Sequence, residues 1–259
     1  MIRNTFLFLP GMTERKERIL WEQGIADWNQ FLHADAVKGI VPKKKQLYNT
    51  LLSEAKQHLF EEDSAYFYHL LPLKYQWRLY DYFKERICFL DIETSDSNRD
   101  ITVIGLFDGL NTGQLVKGIN LSRESFIAAI KNYSLLVTFN GSSFDIPKLE
   151  RYFSLKLNIP HIDLRHVLKK LKHEGGLKKI ELDFGIQRAP ELAMMNGHHA
   201  VDAWRMWIAT GEQTYLDILL QYNEEDVVNL KQIADQSIVQ LWEKVRGTVV
   251  TLVSSNKQH

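Results

Sequence analysis

Four consecutive apolar residues, Ile87 to Leu90, are followed directly by the carboxylates Asp91 and Glu93. An apolar run of this length is typical of a central strand that is buried on both faces of a sheet. Residues i and i+2 of a strand face the same side, so the two carboxylates are expected to point together. Like charges this close are unfavourable unless a cation lies between them, which indicates a site for a hard divalent metal. Taken alone, an Asp-x-Glu sequence at a strand end more often belongs to a solvated turn.

The composition is that of an ordinary globular protein. The chain has 259 residues, of which 45% are hydrophobic and 25% charged, enough for one main domain and a small appendage. Cys88 is the single cysteine, which excludes an intrachain disulfide and a multi-cysteine zinc cluster. No apolar stretch approaches the roughly 20 residues that span a bilayer, and the segment Met1 to Pro10 does not have the pattern of a signal peptide. We therefore expect a cytoplasmic protein without a membrane span.

The charges of the chain balance. Lysine and arginine together number 32, as do aspartate and glutamate, so the molecule as a whole lacks the strong positive field of a protein that coats DNA. Any contact with nucleic acid must come from local patches.

Residues 1–85 have helical periodicity and no strand pattern, which predicts a small all-helical N-terminal module. Within it, the segment Phe8 to Ile25 predicts two short helices joined by a turn at Pro10-Gly11, followed by another turn at Gly24. This segment resembles a degenerate helix-hairpin-helix, an element that binds nucleic-acid backbone without reading its sequence. Because Thr13 stands where the usual hairpin has a second glycine, a plain helical packing module is an equal alternative.

The chain from Arg86 onward alternates strand and helix patterns. Ile101–Phe107 and Gln114–Ile119, separated by a turn-rich segment, predict a hairpin, so that the first three strands are consecutive and antiparallel. A helix capped by Ser122 then precedes a second buried strand, which predicts a parallel crossover. The further predicted elements are that strand at 135–139, a short strand at 161–164 and a long helix from about Thr214 to Val245.

A second acidic segment, Asn140-Gly141-Ser142-Ser143-Phe144-Asp145, directly follows the predicted buried strand. One interpretation is an Asn-Gly turn and a helix that one of the two serines caps, with Asp145 in the first turn, where its charge suits the helix dipole. The other is that Asp145 leaves the carboxyl end of a strand beside the first one and faces the same crevice as the first pair of carboxylates.

A third segment, Tyr222-Asn223-Glu224-Glu225-Asp226, is predicted at the start of the last helix. Residues i and i+4 share a helical face, so Tyr222 and Asp226 are expected to project together. A tyrosine hydroxyl beside a metal-binding aspartate can orient an attacking water or help to deprotonate it. The alternative is a half-buried tyrosine that packs against Val227 and Leu230 beside an acidic first turn.

The order of the three segments resembles the three motifs of the DEDD exonuclease superfamily, tyrosine subclass. In the related histidine group the histidine precedes the last aspartate by five residues, and that position here is Gln221. The resemblance covers about Arg86 to Val245 and is best to the YprB-like group of bacterial ribonuclease H-like exonucleases. The shared segments are Phe89-Leu90-Asp91-Ile92-Glu93-Thr94, Phe139-Asn140-Gly141-Ser142-Ser143-Phe144-Asp145 and Tyr222-Asn223-Glu224-Glu225-Asp226-Val227.

The resemblance implies an α/β fold of the ribonuclease H-like type, a mixed five-stranded sheet whose first three strands are antiparallel, flanked by helices. Together with the helical N-terminal part, this predicts a helical module at residues 1–85, an exonuclease domain at residues 86–245 and a C-terminal tail at residues 246–259.

The resemblance also implies an activity, a 3′-5′ exonuclease that hydrolyses phosphodiester bonds in DNA or RNA, at an end or in a single strand, with two divalent metal ions, Mg²⁺ or Mn²⁺. Asp91, Glu93 and Asp226 would hold one ion, Asp91 and Asp145 the second, and Tyr222 would position the attacking water. The predicted substrate contacts are Asn140, Thr94, Lys178 and Lys179. An equal alternative for Asn140 is a role in forming the turn. The alternative for the two lysines is that they belong to a solvated face of a helix.

A competing hypothesis is a nucleic-acid-binding or adaptor protein that keeps the fold but has little or no turnover and uses its N-terminal helices to contact a partner. All five motif positions are intact, which disfavours it. Endonucleolytic or structure-specific cutting fits the same metals.

Overall fold

The computed structural model describes residues 1–96 and 100–255. Its central feature is one mixed sheet of five strands, β1 (Ile87–Thr94), β2 (Ile101–Phe107), β3 (Thr112–Val116), β4 (Leu135–Thr138) and β5 (His161–Asp163). The strand order is β3-β2-β1-β4-β5. Neighbouring strands are antiparallel from β1 to β3 and parallel from β1 through β4 to β5. The predicted mixed sheet, with its first three strands antiparallel and a parallel crossover, is confirmed.

Strand β1 lies in the middle of the sheet and is buried on both faces, as its apolar run predicts. Phe89 belongs to the larger core cluster, whereas Cys88 and Leu90 belong to a second cluster on the opposite face. Asp91 and Glu93 follow in the same strand, on the face of Phe89. In the register with β2, Asp91 lies opposite Gly105.

The third strand begins two residues earlier than predicted and ends at Val116 rather than at Ile119. The turn is shorter because the carboxylate of Asp108 accepts hydrogen bonds from the backbone N–H groups of Leu110 and Asn111, an Asx turn that closes the loop early. At the other end, the carbonyl of Val116 accepts from three backbone N–H groups of the next turn, which removes it from the ladder.

The first 85 residues contain helices and no named strand in the described part of the chain, which agrees with the prediction. The helices are α1 (Glu14–Glu22), α2 (Trp28–His33), α3 (Pro42–Phe60), α4 (Ser64–Leu70) and α5 (Tyr80–Phe83), with 3-10 segments at Ile2–Asn4, Leu73–Leu79 and Lys84–Arg86.

The predicted pair of helices around Pro10-Gly11 is wrong, because only a three-residue 3-10 turn precedes it. Residues 5–9 are all buried, so they need contacts around the whole backbone rather than along one helical face. Side chains supply those contacts: Glu17 accepts a hydrogen bond from the Phe6 N–H at 2.7 Å, and Trp28 donates to the Thr5 carbonyl at 2.7 Å. A complete helix-hairpin-helix is therefore absent from this described segment.

In the described part of the chain after residue 86, seven helices flank the sheet. They are α6 (Arg123–Ile130), α7 (Asp145–Tyr152), α8 (Leu164–Leu171), α9 (Leu177–Asp183), α10 (Pro190–Ala193), α11 (Gly197–Thr210) and α12 (Gln213–Ser255). Ser122 caps α6 by accepting from the Ser125 N–H, as predicted.

The predicted serine cap of α7 is wrong. Phe144 occupies the N-cap position and makes no side-chain cap bond. The hydroxyl of Ser142 instead donates to Asp163, and that of Ser143 donates to Asn140. Neither hydroxyl is therefore used by the helix, although Asp145 lies in its first turn as expected.

The last helix begins at Gln213 and continues past the predicted end at Val245 to Ser255. Tyr222 and Asp226 therefore lie inside it and not in its first turn, which corrects that part of the prediction. The helix packs across the face of the sheet that carries Phe89, with Val227 and Leu230 in the same core cluster. Among the described residues, no helix combines the length and apolarity needed to cross a membrane.

One core cluster contains buried residues of the N-terminal helices, of the sheet and of α12. Leu52 of α3, Phe89 of β1 and Ile233 of α12 are members of it. The division at residues 85 and 245 stays a prediction.

Candidate functional site

Three carboxylates that are far apart in sequence meet where the carboxyl-terminal half of β1 faces α12. Asp91 and Glu93 come from β1, and Asp226 comes from α12. One oxygen of each side chain lies within 4.8 Å of the others. Glu93 and Asp226 are buried and Asp91 is half-buried. The strand places the first two on one face by its two-residue period, and the helix crosses that face.

Burial and mutual repulsion act on these carboxylates together. Burial raises the pKa of Asp91 well above its usual range, and the charges of Asp226, Asp145 and Glu93 raise it further. Burial likewise raises the pKa of Glu93, again with contributions from Asp226 and Asp145. The pKa of Asp226 rises to about 6 because of burial, although the neighbouring Arg188 opposes the shift. A bound cation would relieve this repulsion.

Asp145 is the fourth predicted carboxylate and lies beside this cluster. It is buried in the first turn of α7, and its Oδ1 accepts a hydrogen bond from the backbone N–H of Ile92 at 3.2 Å. That bond ties it to the β1 residue between Asp91 and Glu93. Burial raises the pKa of Asp145 to about 7. Its charge acts on both β1 carboxylates, so the four acids share one electrostatic environment.

Asn223 fixes the orientation of Asp91. Its Nδ2 donates to Asp91 Oδ2 at 3.1 Å, and its Oδ1 accepts from Gln114 at 3.3 Å. The amide is fully buried against β2 at Gly105, where a Cβ atom would lie 2.1 Å from Asn223 Oδ1. Gly105 is therefore required for the close approach of α12 to the sheet.

A buried arginine is attached to the third carboxylate of the cluster. Arg188, in the loop between α9 and α10, donates through Nη2 to Asp226. Its Nε and Nη2 also donate to the two oxygens of Glu181 in α9, at 2.7 and 2.6 Å. These contacts raise the pKa of the guanidinium above its usual value despite its burial. Glu181 thus anchors a permanent positive charge that in turn holds Asp226.

Tyr222 is buried one helical turn before Asp226. Its ring lies in a cluster with Leu192 and Met195, and not with Val227 and Leu230, which belong to the larger core. Burial, reinforced by the charge of Asp226, raises the pKa of its hydroxyl above the usual range. The raised pKa favours the protonated hydroxyl, which can donate or accept a hydrogen bond.

Asn140 lies in a left-handed turn, with a φ of 65°. Its backbone N–H donates to Asp163 at 2.8 Å, and its Oδ1 accepts from Arg165 at 2.7 Å. This geometry agrees with the predicted turn, while contact with substrate stays a prediction.

The two predicted lysines have different surroundings. Lys178 Nζ lies 5.8 Å from the centre of the Tyr222 ring and donates to the carbonyls of Leu192 and Ala193. Lys179 is exposed and paired with Asp183 at 3.3 Å. Of the two, only Lys178 is brought to the carboxylate cluster. Thr94 ends β1 next to Glu93, and its contact with substrate also stays a prediction.

Several residues of the site were not predicted, namely Asn223 in its present role, Gly105, Arg188, Glu181 and Asp163. The sequence held a signal for Asp163, because this acid lies at the end of a buried strand, as the β1 acids do. Its carboxylate accepts hydrogen bonds from the backbone N–H groups of Asn140 and Ser142 and so shapes that loop. No local signal points to Arg188, which reaches Asp226 across 38 residues of sequence.

The RNase H superfamily model RNase_H_2 matches residues 88–238, more than half of the chain. A solved structure that matches is the family B DNA polymerase from the hyperthermophilic archaeon Pyrobaculum calidifontis, with 15% identity and a TM-score of 0.47. The match covers 58% of this chain and 24% of the polymerase chain, about a quarter of that protein. The comparison with curated proteins gives no match. Because the superfamily model matches more than half of the chain, the chain belongs to the RNase H superfamily. Its mixed sheet agrees with this membership.

Proposed function

We propose that the protein is a metal-dependent nuclease that removes nucleotides from the 3′ end of DNA or RNA. The observation that carries the proposal is the meeting of Asp91, Glu93 and Asp226, with carboxylate oxygens within 4.8 Å of one another. Membership of the RNase H superfamily supports hydrolysis of nucleic acid as the reaction class. The order of the three motifs favours the DEDD tyrosine type and the 3′-5′ direction.

The donor set fits a hard divalent cation. Carboxylate oxygens are the ligands that Mg²⁺ and Mn²⁺ prefer in proteins. Asp91, Glu93 and Asp226 would hold one ion, and Asp145 with Asp91 would contribute to a second. When bound, such ions supply the Lewis acidity that polarises a phosphodiester and lowers the pKa of water.

The remaining side chains position the ligands. Asn223 holds the Asp91 carboxylate through one oxygen, and Arg188 holds that of Asp226 through one oxygen. Each carboxylate keeps its second oxygen for a cation. The protonated hydroxyl of Tyr222 would orient the attacking water by a hydrogen bond, which is the role a raised pKa permits.

The test uses single-stranded DNA and RNA oligonucleotides labelled at either end, with Mn²⁺ or Mg²⁺ and with a chelator. We expect shortening from the 3′ end with the metal alone, and a rate lowered more than about 100-fold by Asp91→Asn or Asp226→Asn, since even outer-shell changes at metal sites cost 10–100-fold. Asp35→Asn, the same change at an exposed position, is the matched control.

Each alternative has its own outcome in that assay. Binding of the oligonucleotides without cleavage by the wild-type protein would replace the proposal with a binding or adaptor role. Internal cuts would replace the exonuclease with an endonuclease. Full cleavage by both aspartate variants would refute the carboxylate centre.

A further inference from the structure

A cavity of about 320 Å³ lies between the N-terminal helices and the far part of α12. Leu241 and Val245 of α12 form one wall, and residues of α1 and of the 3-10 segment Leu73–Leu79 form the others. Leu241 is 15 residues beyond Asp226 on the same helix, which corresponds to about 22 Å at 1.5 Å per residue. The cavity is therefore separate from the carboxylate centre, and its volume is in the range of small-molecule sites.

Aromatic side chains form much of the cavity wall. Trp21, Tyr75 and Trp77 line it. The guanidinium carbon of Arg78 lies 5.4 to 5.8 Å from the centres of these three rings and of Trp242. These rings, with Leu241 and Val245, give the cavity an apolar side against which a planar ring can pack.

The charge of the wall is positive although the whole chain is neutral. Four basic side chains line the cavity, Arg18, Arg78, Lys170 and Lys244, against two acidic ones, Glu14 and Glu17. Arg246, beside the cavity, stacks on the Trp21 ring at 4.8 Å.

Glu17 neutralises only one of these positive charges, that of Arg78. Its Oε1 accepts from the Thr5 hydroxyl and the Phe6 N–H, both at 2.7 Å, and its Oε2 accepts from Arg78 at 2.8 Å. Lys170 Nζ donates to the backbone carbonyl of Lys74 at 3.1 Å, and an ammonium group carries three N–H donors.

Three buried N–H groups around the cavity lack an acceptor within the described part of the chain. They are Nε1 of Trp77, Nε of Arg78 and Nη1 of Arg246. Buried donors are almost always paired, because an unpaired one has lost its hydrogen bonds to water without a replacement. Their concentration beside the cavity favours a ligand that is rich in hydrogen-bond acceptors.

We propose that this cavity binds a nucleoside monophosphate group, with the base against the aromatic wall and the phosphate among the basic side chains. A phosphate matches the excess of N–H donors and positive charge, and a planar base matches the apolar side of the cavity. The group has two sources, a free mononucleotide or the terminal nucleotide of a strand. The proposal is independent of the nuclease activity, because none of the four acids contributes to the cavity.

The test is calorimetric titration of the full chain in chelator, with adenosine 5′-monophosphate, adenosine and inorganic phosphate as probes. We expect the monophosphate to bind at least about 10-fold more tightly than either fragment. Arg18→Gln and Lys170→Met should each weaken that binding about 10-fold, whereas Lys131→Met, which removes one charge outside the cavity, leaves it unchanged. Asp91→Asn should also leave it unchanged, because the carboxylate centre is elsewhere.

The source is distinguished by competition. Displacement of the monophosphate by a 5′-phosphorylated oligonucleotide, and not by its 5′-hydroxyl form, assigns the site to a strand end; no displacement by either assigns it to the free nucleotide. Equal affinity for adenosine and its monophosphate would overturn the proposal. So would the absence of binding at millimolar probe, an equal effect of Lys131→Met, or loss of binding in Asp91→Asn.

Discussion

We expect the Asp145 side chain to make the stability of the metal-free protein depend on pH. Burial raises its pKa in the folded protein to about 7, whereas the ordinary value for an aspartate is 3.8. A group whose pKa is raised by folding contributes stability that is fully present below its unfolded pKa and is lost as pH rises through its folded pKa. The contribution of Asp145 is therefore expected to disappear between about pH 4 and pH 7.

Asp145→Asn should remove the contribution of Asp145 to this dependence, while those of Asp91, Glu93 and Asp226 remain. The asparagine keeps an oxygen that can accept from the Ile92 N–H and carries no charge. In chelator, we expect the free energy of unfolding of the variant to exceed that of the wild type at pH 8, by no more than about 4 kcal/mol, and to equal it near pH 4. Urea titrations at several pH values measure this, with Asp35→Asn as the control. Parallel pH profiles of variant and wild type would contradict the assignment.

At the scale of elements, the distance between β2 and α12 depends on a single glycine. A Cβ atom at Gly105 would lie 2.1 Å from Asn223 Oδ1, and Asn223 is held by Asp91 and Gln114. The sheet and the helix are both packed in the core, so neither can move freely. The alignment of Asp91 therefore depends on a residue that has no side chain.

Gly105→Ala should displace Asn223 and release its hydrogen bond to Asp91. We expect a loss of about 1–3 kcal/mol in the free energy of unfolding, the usual cost of overpacking, together with weaker Mn²⁺ binding. Gly113→Ala is the matched control, because a Cβ atom there meets nothing within 4 Å. Urea titration and calorimetry measure the two effects. Equal results for the two alanine variants would show that the spacing tolerates a methyl group.

At the scale of the whole molecule, a buried ion pair connects parts of the chain 61 residues apart. Arg78 and Glu17 are 2% and 1% exposed, and Arg78 Nη1 donates to Glu17 Oε2 at 2.8 Å. The same glutamate accepts from Thr5 and Phe6. This pair therefore joins the N-terminal segment, α1 and the 3-10 segment that leads to the sheet.

Glu17→Gln should destabilise the whole molecule, since it leaves the positive charge of Arg78 buried without a counter-ion. We expect a loss of about 3–5 kcal/mol in the free energy of unfolding, measured by urea titration. Glu54→Gln, at an exposed position of α3, is the control. An unchanged midpoint in Glu17→Gln would mean that the pair contributes nothing to the fold.

The sequence by itself was sufficient to predict features that depend on residues close together in the chain. The apolar run of β1 predicted a strand buried on both faces, and the two-residue period placed Asp91 and Glu93 together. The cap at Ser122 follows from the chemistry of one hydroxyl and one nearby N–H. The order of three acidic motifs, read by resemblance, implied a ribonuclease H-like fold, and the RNase H superfamily model matches residues 88–238; the DEDD tyrosine type stays a prediction.

Only the tertiary structure decided which distant groups meet. Ser142 has a hydroxyl suited to a helix cap, yet it donates to Asp163 because β5 brings a stronger acceptor beside it. The N-terminal segment has a turn sequence typical of two helices, yet Glu17 and Trp28 satisfy its backbone groups. Arg188 reaches Asp226 only because α9 and α12 pack together. Periodicity and capping act over a few residues, whereas a buried polar group takes whichever partner the path of the whole chain places beside it.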